Sequence, residues 1–261
     1  MRAIVVIPTY NERTNIDKIV TRILTAHADL DILIVDDNSP DGTGQIADEL
    51  AGDWRGRLSV LHRERKEGLG RAYIAGFSKA LTLDYDVIVQ MDCDLSHDPA
   101  YLPALLDHIA DSDVVLGSRY IQGINVVNWD FKRLVMSKLA SKYVQFITRM
   151  PYTDPTGGFK CWRAPALRAI LSSRVFASGY VFQVEMTYRA HKRGFRIAEE
   201  PIIFYERRVG VSKMNWPIIF EAVWGVLRLP FIKTTGGVAG ARRGQAEPCP
   251  RPAAVDSESR R

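Results

Sequence analysis

A long hydrophobic run is what this sequence most clearly lacks. No uninterrupted stretch approaches the ~20 apolar residues that a helix needs to span a bilayer. The first residues, 1–4, already belong to a strand pattern, which leaves no room for a signal peptide. We therefore expect a cytosolic protein, or one that is peripheral to a membrane.

Cysteine is scarce too, and the patterns of a nucleic-acid-binding protein are missing. The three cysteines, Cys93, Cys161 and Cys249, lack the spacing of metal ligands, which predicts thiols in a reducing compartment. The sequence has no basic stripe with interleaved aromatic residues, so we expect no nucleic acid partner. The net charge of +5 does not alter this, because residues 233–261 carry six Lys/Arg and three Asp/Glu, a net +3.

The composition is that of a globular domain with a substantial core: 261 residues, 46% hydrophobic and 25% charged. The first part of the chain alternates short apolar runs with helical patterns. Strands are predicted at about 3–7, 32–35, 58–61, 87–91 and 114–116, and helices at about 12–26, 43–51, 69–83 and 99–110. This alternation predicts an α/β fold with a mainly parallel sheet flanked by helices.

Polar residues follow three of these predicted strands. They are Pro8–Glu12 after the first, Asp36–Ser39 after the second and Asp92–Ser96 after the fourth. In open parallel sheets, ligands bind outside the carboxyl ends of the strands. The sequence therefore places its candidate site at this edge of the sheet.

Two closely spaced carboxylates stand out among these residues. Asp92 and Asp94 come soon after the apolar run Val87–Val89, so a buried strand would deliver both into a cleft. Two like charges this close are costly to bury unless a cation holds them, and Mg²⁺ or Mn²⁺ takes carboxylate, water and phosphate oxygens. The alternative is that Asp98-Pro99 caps the next helix and the acids are solvated turn residues.

The second part of the chain contains two notable helical patterns. An amphipathic helix is predicted at about 131–148, and a strongly apolar one at 216–231. The second helix is apolar over most of its circumference, with a narrow polar stripe of Glu221, Gly225 and Arg228. We therefore expect a membrane surface or a partner protein to cover it. The alternative is that it packs on its own domain. Three regions are predicted: a catalytic domain at 1–215, the apolar helix at 216–232 and a disordered tail at 233–261.

Several motifs taken together resemble the inverting family-2 glycosyltransferases with the GT-A fold. These motifs are Val6–Glu12, Val35–Thr43 and Asp92–Asp94. Later segments are similar to those of dolichol- or polyprenol-phosphate mannose synthases, above all the actinobacterial polyprenol monophosphomannose synthases. These segments are Gly117–Tyr120, Asp154–Phe159, Ser178–Gln183 and Arg207–Lys213. The resemblance covers about residues 3–232 and implies a GT-A fold.

The resemblance implies a donor site and a divalent cation, Mg²⁺ or Mn²⁺. Residues implied to bind the donor nucleotide-sugar are Pro8, Tyr10, Glu12, Val35, Asp37, Asp92, Cys93, Asp94, Arg119, Arg207 and Lys213. Among them, Glu12 would reach the ribose, Asp37 would hold the base, and Cys93 would contribute through its backbone. The metal ligands would be Asp92, Asp94 and Ser96.

The resemblance also implies how the phosphates are held. The acceptor phosphate would contact Arg119, Arg133, Ser137 and Arg207, and the catalytic set would be Asp94, Arg119, Arg207 and Lys213. Segment 207–213 would be a mobile loop that closes on the ligand. A solvated helix face is the alternative for Arg133, and Glu185 has a supporting role only.

The implied reaction is transfer of mannose from GDP-mannose to a polyprenyl phosphate, with inversion, at the cytoplasmic face of the cell membrane. A phosphate acceptor is already anionic, so it needs cations more than a general base. The nearest alternative is transfer of glucose or an aminosugar from a UDP donor to undecaprenyl phosphate. Two further alternatives are transfer to a hydroxyl acceptor, which the cations at 207–213 argue against, and a non-catalytic scaffold that docks through 216–231.

Overall fold

The structure is a computed structural model that describes residues 1–177, 179–205 and 216–232, without the side chains of 216–220. The predicted disordered tail at 233–261 lies outside these residues, and so does the predicted loop at 207–213. The division into three regions therefore stays a prediction.

Strands and helices alternate in the first half of the chain, as the apolar pattern predicts. The strands are β1 (Ala3–Thr9), β2 (Leu30–Asp36), β3 (Leu58–His62), β4 (Val87–Gln90), β5 (Val114–Ser118), β6 (Val126–Val127), β7 (Lys160–Arg163), β8 (Ile197–Pro201) and β9 (Phe204–Tyr205). The helices are α1 (Ile16–Ala26), α2 (Thr43–Asp53), α3 (Leu69–Leu81), α4 (Leu102–His108), α5 (Phe131–Thr148), α6 (Ala164–Leu171), α7 (Val181–Lys192) and α8 (Trp216–Arg228). Short 3₁₀ turns at Pro99–Tyr101 and Leu229–Phe231 precede α4 and follow α8.

Within the described residues, seven strands form one sheet in the order β3-β2-β1-β4-β7-β5-β8. All neighbouring strands are parallel except β7, which runs antiparallel to both β4 and β5. The predicted mainly parallel sheet is confirmed. Strand β7 was not predicted, because its four residues begin with Lys160 and end with Arg163 and carry no apolar alternation.

The sheet is covered by helices on both faces, so its central strands are buried throughout. In β1, Ile4 and Val6 pack with α3, α6 and α7 on one side, whereas Val5 and Ile7 pack with α1, α2 and α4 on the other. A strand that is apolar on both faces is typical of a parallel sheet in a three-layer α/β protein. This arrangement leaves the strand ends as the place where polar side chains can gather.

Helix α8 packs on this body through part of its surface. Val226 and, in the following turn, Leu229 are buried in the core, while Trp224 and Phe231 are more than half exposed. The Tyr143 hydroxyl of α5 donates a hydrogen bond to the Val223 carbonyl of α8 (3.0 Å), which joins the two helices. Among the helices that the structure describes, none has the length and apolarity of a membrane span.

Candidate active site

The carboxyl ends of β2, β1 and β4 lie side by side at one edge of the sheet. The Asp37 amide donates to the Thr9 carbonyl (3.1 Å), which joins the segments after β2 and β1, and the Met91 amide donates to the Val6 carbonyl (3.3 Å). The three polar segments predicted from the sequence therefore share one edge, as their register requires.

Asp36 holds two of these segments together. Its carboxylate accepts hydrogen bonds from the Thr9 hydroxyl (2.8 Å), the Ser39 amide (2.9 Å) and the Ser39 hydroxyl (2.6 Å). The side chain is almost fully buried, and the neighbouring Asn11 and Asn38 take positive φ angles of 59° and 55°. Asp36 thus fixes the conformation of both loops, and its carboxylate is satisfied by hydrogen bonds within the fold.

Asp37, predicted to hold the nucleobase, is paired with a cation. Arg63 Nη1 lies 2.5 Å from Asp37 Oδ1, and Arg63 Nη2 lies 2.7 Å from Glu67 Oε2. Burial raises the pKa of Asp37, and the Arg63 guanidinium acts in the opposite direction. The Asp37 carboxylate is thus held in place by Arg63.

The other predicted nucleoside contacts differ in their accessibility. The Lys66 ammonium lies 3.9 Å from the centre of the Tyr10 ring, and Glu12 accepts a hydrogen bond from Asn15 Nδ2 (2.8 Å). Pro8 and Val35 are buried and pair in register on neighbouring strands, and the Val35 side chain packs in the core against Gly76. Tyr10 and Glu12 are therefore better placed to meet a ligand than the Val35 side chain.

Asp92 and Asp94 stand on a tight turn after β4. The Asp94 carboxylate accepts a hydrogen bond from the Ser96 amide (3.0 Å), and Leu95 between them has a positive φ of 62°. The Asp92 amide lies 3.4 Å from Nδ1 of the buried His97, whose ring stacks on Phe159 at 5.1 Å. The turn is thus braced from within rather than freely solvated. The other part of that alternative is confirmed, because the Asp98 side chain caps the 3₁₀ turn at Pro99–Tyr101 by accepting from the Ala100 amide (3.0 Å).

The residues at this turn fit a hard divalent cation. Two carboxylates and the Ser96 hydroxyl offer oxygen atoms only, the ligand type that Mg²⁺ and Mn²⁺ prefer. In residues 1–177, 179–205 and 216–232, no three His, Cys, Asp or Glu side chains are grouped as a metal site. A cation bound by so few protein ligands completes its shell with water and substrate phosphate oxygens.

Strand β7 brings the predicted segment Asp154–Phe159 against this turn. A Cβ atom on Gly158 would lie 3.1 Å from Asp92 Oδ2, and one on Gly157 would lie 3.0 Å from the Gly117 carbonyl. Glycine suits both positions, because a side chain at either one would have to displace its neighbour by a few tenths of an ångström. The segment is thereby placed between the Asp92 carboxylate and the end of β5.

Arg119 and Asp154 form a buried ion pair beside this segment. Arg119 Nε lies 2.6 Å from Asp154 Oδ2, and Nη2 lies 2.7 Å from Oδ1 and 3.0 Å from the Thr156 hydroxyl. Burial alone would raise the pKa of Asp154, but the Arg119 guanidinium outweighs it and the pKa lies below its usual value. Glu199 in turn accepts from the Asp154 amide (3.0 Å), so the pair is held from both sides.

Helix α5 contributes the predicted acceptor residues Arg133 and Ser137. The Tyr120 hydroxyl donates to Ser137 Oγ (2.7 Å), and the Arg119 guanidinium lies 5.2 Å from the Tyr120 ring. Arg133 lies 4.6 Å from the Trp129 ring. The first half of α5 therefore contacts Arg119 through Tyr120. The other predicted phosphate-binding residues, Arg207 and Lys213, lie outside the residues that the structure describes.

Several residues of this site were not predicted. Lys160 is fully buried and donates to the Gln183 carbonyl (2.5 Å) and the Thr187 hydroxyl (2.9 Å), and burial lowers its pKa to about 7. Tyr73 of α3 donates to Asp92. No local signal in the sequence could have revealed Lys160, because the short strand β7 that it begins carries no apolar alternation.

Two further residues considered in the sequence analysis, Glu185 and Cys93, are buried inside the fold. Glu185 is fully buried, where it pairs with Arg189 and accepts from the amides of Phe176 and Ala177, so its supporting role is that of holding the loop before α7. Cys93 is also buried, which suits the expected contribution through its backbone alone.

The comparisons with known proteins agree with this geometry. The family model "Glycosyl transferase family 2" matches residues 4–171. The polyprenol monophosphomannose synthase of Mycolicibacterium smegmatis is 47% identical over 231 residues, covering 86% of this chain and 87% of that protein. The undecaprenyl-phosphate mannosyltransferase of Micrococcus luteus is 45% identical over 228 residues, covering 87% of this chain and 93% of that protein.

Solved structures show the same fold. Glucosyl-3-phosphoglycerate synthase from Mycobacterium tuberculosis, in complex with Mn²⁺, UDP and glucosyl-3-phosphoglycerate, aligns with a TM-score of 0.62 at 17% identity, over 88% of this chain and 78% of its own. Its complex with phosphoglyceric acid aligns with a TM-score of 0.65 at 18% identity, over 90% and 81%. The predicted GT-A type of α/β fold is confirmed. The chain belongs to glycosyl transferase family 2.

Proposed function

We propose that this protein is an inverting glycosyltransferase that transfers mannose from GDP-mannose to a polyprenyl phosphate, giving a polyprenyl phosphomannose. The observation that carries the proposal is that the Asp92–Asp94 turn and the Arg119–Asp154 ion pair lie close together, with Gly157 and Gly158 between them. The two relatives at 45–47% identity, named for polyprenol and undecaprenyl-phosphate acceptors and for mannose, support the sugar and the lipid.

The donor side of the site is assigned to the edge formed by β1, β2 and β4. Asp37, fixed by Arg63, would accept hydrogen bonds from the base, and Glu12 would bind the ribose hydroxyls. The Tyr10 ring, now covered by the Lys66 ammonium, offers a flat surface beside them. A carboxylate that is already oriented loses little entropy on binding, which favours a specific nucleoside.

A divalent cation, Mg²⁺ or Mn²⁺, would be held by Asp92, Asp94 and Ser96. When bound, it would neutralise the charge that develops on the departing diphosphate. The complex of the structural neighbour with Mn²⁺ and UDP supports the use of such an ion. Asp92 and Asp94 would orient the diphosphate through this cation, since the carboxylates by themselves would repel it, and the sugar carbon would then be open to attack from the opposite side.

The acceptor needs positive charge more than a base. A lipid phosphate is already a nucleophile at neutral pH, so the chain has to bring two anions together without repulsion. Arg119 is neutralised by Asp154 and so contributes oriented N–H donors rather than net charge. We assign the net charge to Arg133, Arg207 and Lys213, with the Ser137 hydroxyl as a further contact.

We also assign the cytoplasmic face of the cell membrane as the surface on which the protein works. The outward face of α5 is mainly apolar: Phe131, Met136, Leu139 and Phe146 are 78%, 49%, 58% and 81% exposed. Lysines and arginines occur along α5, but no Asp or Glu does. On α8, Trp224 is 57% exposed. An apolar face with basic residues suits a bilayer with anionic headgroups.

Transfer of radiolabelled mannose from GDP-mannose into an organic-extractable lipid tests the proposal. The assay uses the purified full chain, polyprenyl phosphate and Mg²⁺ or Mn²⁺, with UDP-glucose as a parallel donor. We expect an acid-labile mannolipid that depends on the metal, is lost in Asp94→Asn and is retained in Asp107→Asn, an exposed carboxylate on α4.

Each other outcome has a defined meaning. Product from UDP-glucose alone would replace mannose by glucose and keep the reaction class. If neither donor gives product when detergent-solubilised acceptor is present, the proposed transferase activity would be contradicted and a non-catalytic scaffold would be favoured.

A further inference from the structure

Tyr73, on helix α3, contacts the Asp92–Asp94 turn from inside the protein core. Its side chain is fully buried, and its hydroxyl donates a hydrogen bond to Asp92 Oδ1 (2.7 Å). A buried phenol hydroxyl is costly without a partner, so this bond is a stable part of the fold. Asp92 is thereby oriented by a residue far from it in sequence.

The Tyr73 ring has little freedom to move. It stacks on Phe182 with a centroid distance of 5.8 Å and an interplanar angle of 3°, and on Phe77 at 5.5 Å. Helix α3 itself lies close to the sheet, since a Cβ on Gly76 would come within 2.5 Å of Val6. The position of the hydroxyl is therefore set by the packing of the core.

The two oxygen atoms of Asp92 consequently have different surroundings. Oδ1 is occupied by Tyr73, whereas Oδ2 lies beside Gly158 and 4.0 Å from Nδ1 of His97. A carboxylate that ligates a metal is commonly oriented by a hydrogen bond to its other oxygen. The Asp92 carboxylate has this arrangement.

We propose that Tyr73 is a positioning residue for the metal: its hydroxyl holds the Asp92 carboxylate so that Oδ2 binds the divalent cation. This inference rests on the metal site of the proposed function. Tyr73 itself does not contact the cation or the substrate. It acts through Asp92, and its removal changes metal affinity first and activity as a consequence.

The chain contains a matched control for this interaction. Tyr85 donates to Asp31 Oδ2 over the same distance, 2.7 Å, and Asp31 lies near the start of β2, at the opposite end of the strands from Asp92. Tyr85→Phe and Tyr73→Phe each remove one tyrosine–aspartate hydrogen bond. Only Tyr73→Phe removes one at the proposed metal site.

The experiment measures Mn²⁺ binding to the full chain by electron paramagnetic resonance, with Mn²⁺ alone and with added GDP, and thermal unfolding of each variant. We expect Tyr73→Phe to raise the Kd for Mn²⁺ by about tenfold or more, as removal of an outer-shell partner does in other metal sites. Tyr85→Phe should leave the Kd within about twofold of the wild-type value, although both variants lose a similar bond.

A second pair of variants separates positioning from general destabilisation. In an Asp92→Ala background, Tyr73→Phe should change the residual Mn²⁺ affinity by less than about twofold, because the carboxylate that it orients is gone. In an Asp94→Asn background, its effect should persist.

Equal Mn²⁺ affinity in wild type and Tyr73→Phe would overturn the positioning role and leave the proposed function intact. The same holds if Tyr73→Phe weakens binding to the same extent with and without Asp92. A wild-type protein that binds no Mn²⁺, alone or with GDP, would overturn the metal site itself, and the inference with it.

Discussion

The guanidinium of Arg119 donates two hydrogen bonds, of 2.6 and 2.7 Å, to the carboxylate of Asp154, whose side chain is fully buried. Neither charge can be removed alone without leaving the other uncompensated. The pair ties the end of β5 to the segment before β7, next to the Asp92–Asp94 turn. Its integrity therefore matters for stability and, in the proposed function, for phosphate binding.

Asp154→Asn is expected to destabilise the protein and to reduce transfer. The substitution leaves the Arg119 charge buried without its partner, which costs about 3–5 kcal/mol in comparable buried pairs. Urea unfolding gives the change in the free energy of unfolding, and the mannolipid assay gives the change in activity. The control is Arg196→Gln, which removes an exposed 3.9 Å pair with Asp113 and should cost less than about 1 kcal/mol. Equal costs in the two variants would contradict the buried-pair interpretation.

Lys160 is expected to make stability depend on pH. Its pKa is lowered to about 7 in the folded protein by burial, below the ordinary value of 10.5, so between these values the unfolded chain binds more protons. The free energy of unfolding should therefore rise between pH 7 and 9, by on the order of 1 kcal/mol per pH unit. The contribution is absent below the folded pKa, where both states are protonated. Urea unfolding of wild type and Lys160→Met over this range tests it, and identical slopes would exclude Lys160 as the cause.

Gly158→Ala is expected to weaken Mn²⁺ binding and to lower activity by at least tenfold. The new methyl group would stand 3.1 Å from Asp92 Oδ2 and 3.4 Å from His97 Cε1, so the carboxylate has to shift. Gly52→Ala in α2 is the control, because a Cβ there meets no atom within 4 Å. We expect that variant to gain about 0.5–1 kcal/mol of stability with unchanged activity. Unchanged Mn²⁺ affinity in Gly158→Ala would show that Asp92 tolerates displacement.

Phe146→Ser is expected to weaken binding to lipid vesicles without affecting the fold. Phe146 is 81% exposed on α5, so its loss removes apolar contact with a bilayer but little from the core. Co-sedimentation with vesicles that contain anionic lipid measures the effect. Leu83→Ser, at an exposed leucine outside α5 and α8, should bind like wild type. Equal loss in both variants would argue against α5 as the contact.

Much of the site could be predicted from local pattern. The strand ends after β1, β2 and β4 were located correctly because parallel strands present their carboxyl ends at one edge. The predicted bounds of α5, 131–148, match the structure, where the Asp130 side chain caps the first turn by accepting from the Arg133 amide (2.7 Å). Short-range signals of this kind can be read without the tertiary structure because they lie between neighbours in the chain.

The rest depends on residues that meet only after folding. The sequence by itself determined the alternation of strands and helices, the polar strand ends and the family, because periodicity and motifs are properties of neighbours in the chain. The tertiary structure alone decided the antiparallel insertion of β7, the pairing of Arg119 with Asp154, and the contact of Tyr73 with Asp92. The two side-chain contacts join residues 19 and 35 positions apart, and β7 pairs with residues 44 to 76 positions away. Only the packing of helices on the sheet selects these pairings among the many that composition allows.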